Sequence, residues 1–354
     1  MVDSRLGKIS GALLTETVLG HLGGADPEVL AGPRAGVDVG VLRVAPGVVM
    51  AVTTDPVFVL PSLGWERAAW FAVHILASDA ATSGLPLRAM SVDLNLPVEL
   101  PDDELATLWR AYAGACEELG IAVLTGHTGR YAGCRWPMVG GATCLALGPE
   151  DSYITPMMAR AGDRVVVTKG AAIEAAALLA MSFPDRLRSQ VGTDTLAVAQ
   201  GLVESMTVVP EARAAAAYGV RDAGVTAMHD ATEGGVIGGL YEVAEASGVG
   251  LRIDQSAIPV RPEVAAVCAA AGIDPYFSIS EGTLVATVRP QHAQGLLAAL
   301  ADANIAAADV GEVLPAGAPR TMLDAYGHEL PLAPPRLDPY WEAFARWSAE
   351  WGRY

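Results

Sequence analysis

The chain has 354 residues, of which 52% are hydrophobic and only 18% are charged, and its formal net charge is −17 at pH 7. The length suffices for two domains with substantial cores, and the apolar composition indicates a buried subunit interface as well. The acidic balance argues against a nucleic-acid partner, since it leaves no broad basic surface. No apolar run is long enough for a membrane span, no secretory signal is visible, and the four cysteines lack zinc or CxxC spacing, so we expect a cytoplasmic protein.

The first residues of the chain are rich in glycine and include Lys8. We interpret them as a mobile arm that contains a short helix over residues 10–21. Residues 37–44 and 48–53 then predict a β-hairpin, because two runs of strand-forming residues flank a proline-glycine turn.

Beyond the hairpin, helical and strand periodicities are mixed through two halves of the chain. The first half predicts helices at 65–83 and 101–119, strands at 87–96, 121–124 and 138–147, and a polar loop at 125–131. The second half predicts strands at 164–168, 250–253, 283–288, 308–313 and 320–323 and helices at 171–181, 194–205, 210–218, 236–246, 262–271 and 290–303. Residues 331–354 predict a proline-rich segment and then a helix that carries tryptophans.

This order of elements predicts a two-domain α+β protein. Alternation of strands and helices would also fit a doubly wound sheet. The hairpin and the alternating polar strands of the first half favour an antiparallel sheet with one exposed or interface face instead. The predicted divisions are an arm at 1–36, a first domain at 37–155, a second domain at 156–325 and a tail at 326–354.

Residues 226–235 carry the motif around which we interpret the rest of the chain. It contains, in order, His229, Asp230, Ala231, Thr232, Glu233, Gly234 and Gly235. We expect the threonine and glutamate to cap the helix that follows, and the glycines to let backbone N–H groups approach an anionic ligand. A carboxylate beside such a helix start suits a metal and a phosphate, although a capped helix with a solvated aspartate is the alternative.

Four aspartates recur at the ends of predicted strands or helices: Asp38, Asp55, Asp79 and Asp230. Asp38 begins the first strand of the hairpin, and Asp55 follows the second. Asp79 lies near the end of an apolar helix, where the helix dipole disfavours a carboxylate, so we expect it to be paired or to bind metal. Scattered aspartates suit Mg²⁺ better than zinc, but each one alone is equally explained as a turn or cap residue.

Two further segments could meet a phosphate or a substrate. Lys8 follows a glycine in the arm and could close over phosphates, or it could simply be solvated. Gly126, His127 and Thr128 follow a predicted strand and form either a substrate loop or a surface turn. Glu281 is either a turn acid or a residue that reaches the site. The full P-loop motif is absent, which argues against a P-loop ATPase.

In this order the motifs resemble the superfamily of aminoimidazole ribonucleotide (AIR) synthetase, selenophosphate synthetase, thiamine-monophosphate kinase and HypE. They are most similar to the HypE-like, AIR synthase-related proteins. The segments that carry the resemblance are residues 36–39, Thr53-Thr54-Asp55, Ser78-Asp79, Gly126-His127-Thr128 and residues 229–235. Ser78 replaces a common asparagine, and Val39 stands where the family often has a second aspartate or an alanine.

The resemblance implies a homodimer that binds ATP and Mg²⁺, with a barrel-like interface between the N-terminal sheets. The implied metal ligands are Asp38, Asp55, Asp79 and Asp230. The implied nucleotide-binding residues are Lys8, Thr54, Asp55, Asp79, Gly126, His127, Thr128, Gly234 and Gly235. The implied catalytic residues are Lys8, His127 and Asp230.

The activity implied is ATP-dependent activation of an amide, carbonyl or carboxylate oxygen of a small-molecule substrate. A small-molecule kinase resembling thiamine-monophosphate kinase is an alternative, and so is a non-catalytic nucleotide-binding scaffold with a partner protein. Two departures leave the acceptor open. HypE proteins carry an acceptor cysteine at the C-terminus, whereas no cysteine follows Cys268 here, and no cysteine lies beside Lys8 as in selenophosphate synthetases.

Overall fold

The computed structural model describes residues 7–9 and 11–351. The chain divides into two compact units, each described by itself below. The N-terminal unit comprises Pro27–Gly32 and Asp38–Tyr153, and the C-terminal unit comprises the arm up to Asp26 together with Pro33–Val37 and Ile154–Tyr354. Among the described residues, no helix is both long enough and apolar enough to cross a bilayer.

The N-terminal unit is a six-stranded sheet with two long helices. Its strands are β1 (Val29–Ala31), β2 (Gly40–Ala45), β3 (Val48–Phe58), β4 (Leu87–Leu96), β5 (Ala122–Arg130) and β6 (Met138–Pro149). The order is β1-β2-β3-β6-β4-β5, and only the β4–β5 pair is parallel. The predicted hairpin is confirmed as β2 and β3. Its first strand begins at Gly40, so Asp38 precedes the strand rather than beginning it.

The helices of this unit begin and end where local residues favour it. They are α1 (Trp65–Thr82) and α2 (Asp102–Leu119). Helix α2 has Pro101 at its N-cap and three acids in its first turn, which suit the positive end of the helix dipole. It ends at Gly120, which has a φ of 74° and adopts the left-handed conformation that closes many helices.

Strand β5 is longer than predicted. The sequence predicted a loop at residues 125–131, but the strand continues to Arg130 because residues 125–130 pair in parallel register with Ser91–Leu96 of β4. The strand lies at the edge of the sheet and its residues are almost all exposed. Polar residues are therefore compatible with a strand here, since neither face of β5 is buried.

The C-terminal unit is a seven-stranded sheet with helices. The strands are β7 (Arg164–Thr168), β8 (Val225–Ala231), β9 (Gly250–Asp254), β10 (Thr283–Val288), β11 (Ala307–Leu314), β12 (Arg320–Leu323) and β13 (Glu329–Pro331), in the order β13-β12-β9-β11-β7-β10-β8. The helices are α3 (Ile173–Ser182), α4 (Pro184–Val191), α5 (Thr193–Gly201), α6 (Val209–Tyr218), α7 (Gly235–Ser247), α8 (Pro262–Ala271), α9 (Ala293–Asp302) and α10 (Pro339–Trp351). Helix α4 was not predicted, because its sequence is short and mostly polar.

Strand β8 lies at one end of this sheet, yet all seven of its residues are buried. Helices α6 and α7 pack against it and cover it. The main core is made of apolar residues from strands β7 to β12 and from α7. Because β8 lies in this core, its polar residues His229 and Asp230 are held among apolar neighbours, and the chain then turns directly into α7.

Candidate functional site

In the N-terminal unit, Asp79 on α1 faces strand β3. Its Oδ2 atom accepts a hydrogen bond from Thr53 Oγ1 at 2.8 Å. Asp55 is two residues further along β3, and side chains two apart on a strand share a face. Asp55 therefore points to the same side of the sheet as Thr53. Within the described part of this unit, however, no three metal-ligand side chains lie within 4.8 Å of one another, so joint metal binding by Asp38, Asp55 and Asp79 stays a prediction.

Thr54 points to the opposite face of the sheet. Its Oγ1 atom lies 2.9 Å from Thr143 Oγ1 on β6. The register continues this row of hydroxyl groups through Ser91 of β4 to Thr125 of β5. Thr54 and Asp79 therefore lie on different sides of one sheet, which the sequence pattern did not reveal.

The predicted Gly126-His127-Thr128 loop is part of strand β5. A Cβ atom on Gly126 would lie 2.3 Å from the Val92 carbonyl oxygen, so close packing of the backbones requires glycine there. His127 is exposed, and its Nε2 atom lies 2.6 Å from the Tyr131 hydroxyl oxygen. A nucleotide role for these three residues stays a prediction.

In the C-terminal unit, Asp230 and His229 stand together near the end of β8. Asp230 is 1% exposed, and neither of its carboxylate oxygens has a hydrogen-bond partner among the described residues. The His229 Nδ1 atom is 3.9 Å from Asp230 Oδ1, too far for a hydrogen bond. A buried carboxylate in this state is costly without a cation.

His229 is fixed on its other side by Glu242 of helix α7. The Nε2 atom of His229 lies 2.8 Å from Glu242 Oε2. Burial acts to raise the pKa of Glu242, but the hydrogen bond with His229 and the nearby Lys8 ammonium lower it to about 2. Glu242 is therefore a carboxylate that orients His229 and attracts Lys8.

The arm residue Lys8 lies beside the start of helix α7. Its backbone N–H donates to both carboxylate oxygens of Glu233, at 3.1 and 3.2 Å, and its Nζ donates to Thr232 Oγ1 at 3.3 Å. The Nζ atom is also 3.9 Å from Glu242 Oε1. The structure thus brings Lys8 to the motif that contains Asp230, whereas a ligand shared by the two residues stays a prediction.

The predicted cap of helix α7 is wrong. Gly234 is the N-cap residue, and neither Thr232 nor Glu233 caps the helix with its side chain. The Gly234 N–H donates instead to Asp338 Oδ2 at 2.8 Å, and the Gly235 N–H donates to the Thr232 carbonyl at 3.1 Å. Both predicted phosphate donors already have acceptors within the chain, so their binding of a nucleotide stays a prediction.

Sequence reasoning missed three acids of this region, namely Glu174, Glu242 and Asp338. Burial raises the pKa of Glu174 to about 8, and the neighbouring Asp338, Glu233 and Asp230 act in the same direction. Burial also raises the pKa of Asp338 to about 6. Asp338 could have been found, because Asp followed by Pro is a common helix start. Glu242 is an acid within an apolar helix, the same signal that singled out Asp79.

Comparisons with known proteins agree with this arrangement of two units. The family model "AIR synthase related protein, N-terminal domain" matches residues 36–159, and "AIR synthase related protein, C-terminal domain" matches residues 160–324. The carbamoyl dehydratase HypE of Rhizobium leguminosarum bv. viciae is 31% identical over 273 residues, which are 75% of this chain and 73% of the relative.

Solved structures of HypE have the same fold. The crystal structure of E. coli HypE, a hydrogenase maturation protein, matches with a TM-score of 0.70 at 28% identity, covering 89% of this chain and 94% of that chain. A HypE structure in complex with ATP matches with a TM-score of 0.64 at 22% identity, covering 95% of this chain and 97% of that chain. The two-domain α+β fold predicted from the sequence is thereby confirmed.

Proposed function

Because the chain belongs to the AIR synthase related family, we propose that it is a Mg²⁺- and ATP-dependent enzyme that phosphorylates an amide, carbonyl or carboxylate oxygen of a small molecule. Its relative in Rhizobium leguminosarum is named a carbamoyl dehydratase, and a HypE of the same fold binds ATP. Loss of water from a carbonyl compound needs a good leaving group, and a phosphorylated oxygen is one. The proposal therefore combines the dehydratase activity in the name of the relative with the ATP binding of the HypE structure.

The carboxylate of Asp230 is the observation that carries this proposal. It is buried, and its oxygens have no hydrogen-bond donor among residues 7–9 and 11–351. A divalent cation would supply the partner that the described residues do not, and carboxylate oxygen is the ligand type that Mg²⁺ prefers. We therefore assign Asp230 to the metal, together with Asp38, Asp55 and Asp79.

The remaining residues would position charge rather than form bonds. Phosphoryl transfer depends chiefly on neutralising the phosphate oxygens and aligning the acceptor, and Mg²⁺ with ATP supplies the transferable group. The Lys8 ammonium offers a cation that the glycine-containing arm can carry to the phosphates. We assign the other polar contacts to His127 and Thr128, and backbone contacts to Gly126, Gly234 and Gly235. Thr54 is left out, because it lies on the face of its sheet opposite Asp79. In this proposal the enzyme is a cytoplasmic homodimer, with a possible partner protein.

Replacing Asp230 by asparagine tests the proposal. The change keeps the shape of the side chain but removes the charge that would hold the cation. We expect kcat/KM for ATP consumption to fall at least roughly 100-fold, as when a transition-state charge contact is lost. Asp302→Asn, an exposed residue at the end of helix α9, is the matched control and should leave the rate unchanged. Equal rates in the two variants would contradict the assignment.

The products identify the reaction. Purified protein is incubated with Mg·ATP and a panel of small amides and carboxylates, and phosphorus NMR then follows the phosphate. ADP with free phosphate supports activation followed by loss of phosphate, whereas ADP with a stable phosphoester supports a small-molecule kinase. Tight ATP binding without turnover on any compound, with a co-purifying protein, would support a scaffold.

A further inference from the structure

The arm segment Gly7-Lys8 holds the carboxylate of Glu233. The Lys8 N–H donates to both carboxylate oxygens of Glu233, at 3.1 and 3.2 Å. The Lys8 ammonium donates to the Thr232 hydroxyl and lies near the Glu242 carboxylate. All of these residues belong to the C-terminal unit. The main chain and the side chain of one lysine thus both contact an acidic part of helix α7 and the turn before it.

Gly7 is required for this contact. Its φ is 92°, which side-chain-bearing residues rarely adopt, and a Cβ atom there would lie 2.1 Å from Glu233 Oε1. The Glu233 carboxylate therefore packs closely against Gly7 and accepts from the backbone N–H of Lys8. Lys8 also carries an ammonium group. This is the donor set that a phosphate group also uses, because it combines backbone N–H with a cation near a glycine that permits close approach.

The Glu233 carboxylate also depends on the arm. Burial raises its pKa, the Lys8 N–H and ammonium act to lower it, and Glu242 acts to raise it again. Without the arm, the Glu233 and Glu242 carboxylates would repel each other without the compensating Lys8 ammonium. The contact with the arm therefore stabilises the ionised form of Glu233.

We propose that Glu233 is an internal competitor of the nucleotide: it occupies the Gly7-Lys8 segment until a phosphate group displaces it. This rests on the proposed function in so far as Lys8 meets the nucleotide phosphates. For a ligand that binds only the released arm, the apparent affinity equals the intrinsic affinity multiplied by the fraction of molecules in which the arm is released. Weakening the contact with Glu233 should therefore tighten nucleotide binding, whereas loss of an ordinary binding residue would weaken it.

Selective labelling tests the docked arm without any nucleotide. The sequence contains only two lysines, Lys8 and Lys169, so ¹⁵N-lysine gives two amide signals. The Lys169 N–H donates to the Ala306 carbonyl at 2.7 Å and serves as an internal reference. In Glu233→Ala we expect hydrogen exchange of the Lys8 amide to accelerate roughly tenfold or more, as for an exposed amide, while the Lys169 amide is unchanged.

Glu245→Ala is the matched control, because Glu245 is an acid of helix α7, which follows Glu233, but it pairs with Arg320. It should leave the exchange of the Lys8 amide at the wild-type rate. If Glu233→Ala also exchanges Lys8 at the wild-type rate, the docked arm does not exist in solution and the proposal is overturned.

Calorimetry with Mg²⁺ and a non-hydrolysable ATP analogue tests the competition. We expect Glu233→Ala to bind the analogue roughly three- to tenfold more tightly than the wild type, a modest population shift. Equal or weaker binding would overturn the competition. If neither protein binds the analogue, both the proposed function and the competition fail, whereas the exchange experiment still reports separately on the docking of the arm.

Discussion

Asp79 combines a carboxylate with an unfavourable place in its helix. It lies in the last turn of α1, where the helix dipole disfavours negative charge, and it accepts a hydrogen bond from the neutral hydroxyl of Thr53. A residue that is held against the local electrostatics usually serves a ligand rather than the fold. The sequence alone pointed to it for the same reason, since its helical neighbours are apolar.

Replacing Asp79 by asparagine should separate binding from stability. Asparagine keeps an acceptor for Thr53 but removes the charge, so we expect the thermal midpoint to stay equal or to rise slightly. Affinity for Mg·ATP, measured by calorimetry, should fall at least about tenfold, or ~1.4 kcal/mol.

Glu118→Gln is the control for Asp79→Asn, because Glu118 is an exposed acid of helix α2 in the same unit. It should change neither affinity nor stability. Unchanged nucleotide affinity in Asp79→Asn would remove this residue from the proposed site, and a large fall in stability would make it a structural residue instead.

Single candidate site residues were predictable where a charged side chain occupies a place that disfavours its charge. Asp79 and Asp230 are such positions, because each is a carboxylate on an element whose other residues are mostly apolar. Thr54 was placed with them only because Thr53-Thr54-Asp55 resembles a motif of the family. The strand period of two puts it on the other face, beside Thr143. Which face a strand residue occupies depends on packing, which a motif does not record.

At the scale of elements, Asp338 joins the last helix to the central motif. Its carboxylate accepts the N–H groups of Gly234 at 2.8 Å and Tyr340 at 2.9 Å, and it also accepts the N–H of Ile279. It therefore fixes the start of α10 and the start of α7 together. The aromatic residues of α10, Phe344 and Trp347, then pack on Phe183.

Asp338→Ala should loosen helix α10. The variant leaves three backbone N–H groups without their acceptor, and we expect a loss of about 1–3 kcal/mol in the free energy of unfolding. Chemical denaturation measures this loss, and limited proteolysis should cleave the C-terminal residues faster. Asp324→Ala, which removes turn contacts on the same unit, should not accelerate that cleavage. Equal proteolysis of the two variants would contradict a role of Asp338 in holding α10.

Helix boundaries were predicted well where a proline marks the start of a helix or a glycine marks its end. Helix α2 ends at the predicted glycine, and α8 begins at Pro262 and ends at Ala271 as predicted. Prediction failed for β5, where polarity was taken as a sign of a loop. It also failed at the cap of α7, where the side chain that accepts from Gly234 comes from a residue 104 positions away.

At the scale of the whole molecule, one part of the acid excess is buried, and its charges influence one another. Glu174, Glu233, Asp230 and Asp338 interact with one another in the C-terminal unit. The metal ligands that the resemblance implies are Asp38, Asp55, Asp79 and Asp230, which lie far apart in the sequence. No pattern along the sequence gives the distance between such groups, so the domain boundaries and the site residues stay predictions, while the family and the fold were predictable.

The contribution of Glu174 to the stability of the protein should fall as the pH rises from about 4.5 to about 8. The pKa of Glu174 is raised from 4.5 to about 8, so the folded state holds this proton more tightly than the unfolded state does. Stabilisation by that proton is present at low pH and is lost as the folded carboxyl ionises. Glu174→Gln keeps an acceptor for the Glu281 N–H but cannot ionise, and we expect it to flatten this part of the profile. If stability depends on pH with the same slope in the wild type and in Glu174→Gln, the assignment is contradicted.

The open edge of β5 has a consequence for handling the protein. A bare strand edge invites addition of a foreign strand, which is how many proteins begin to aggregate. Val123 and Leu124, near its start, are apolar and exposed, whereas the residues that follow are threonine, glycine, histidine and arginine. We expect this polar second half to limit aggregation through β5, because it leaves only a short apolar stretch at the edge.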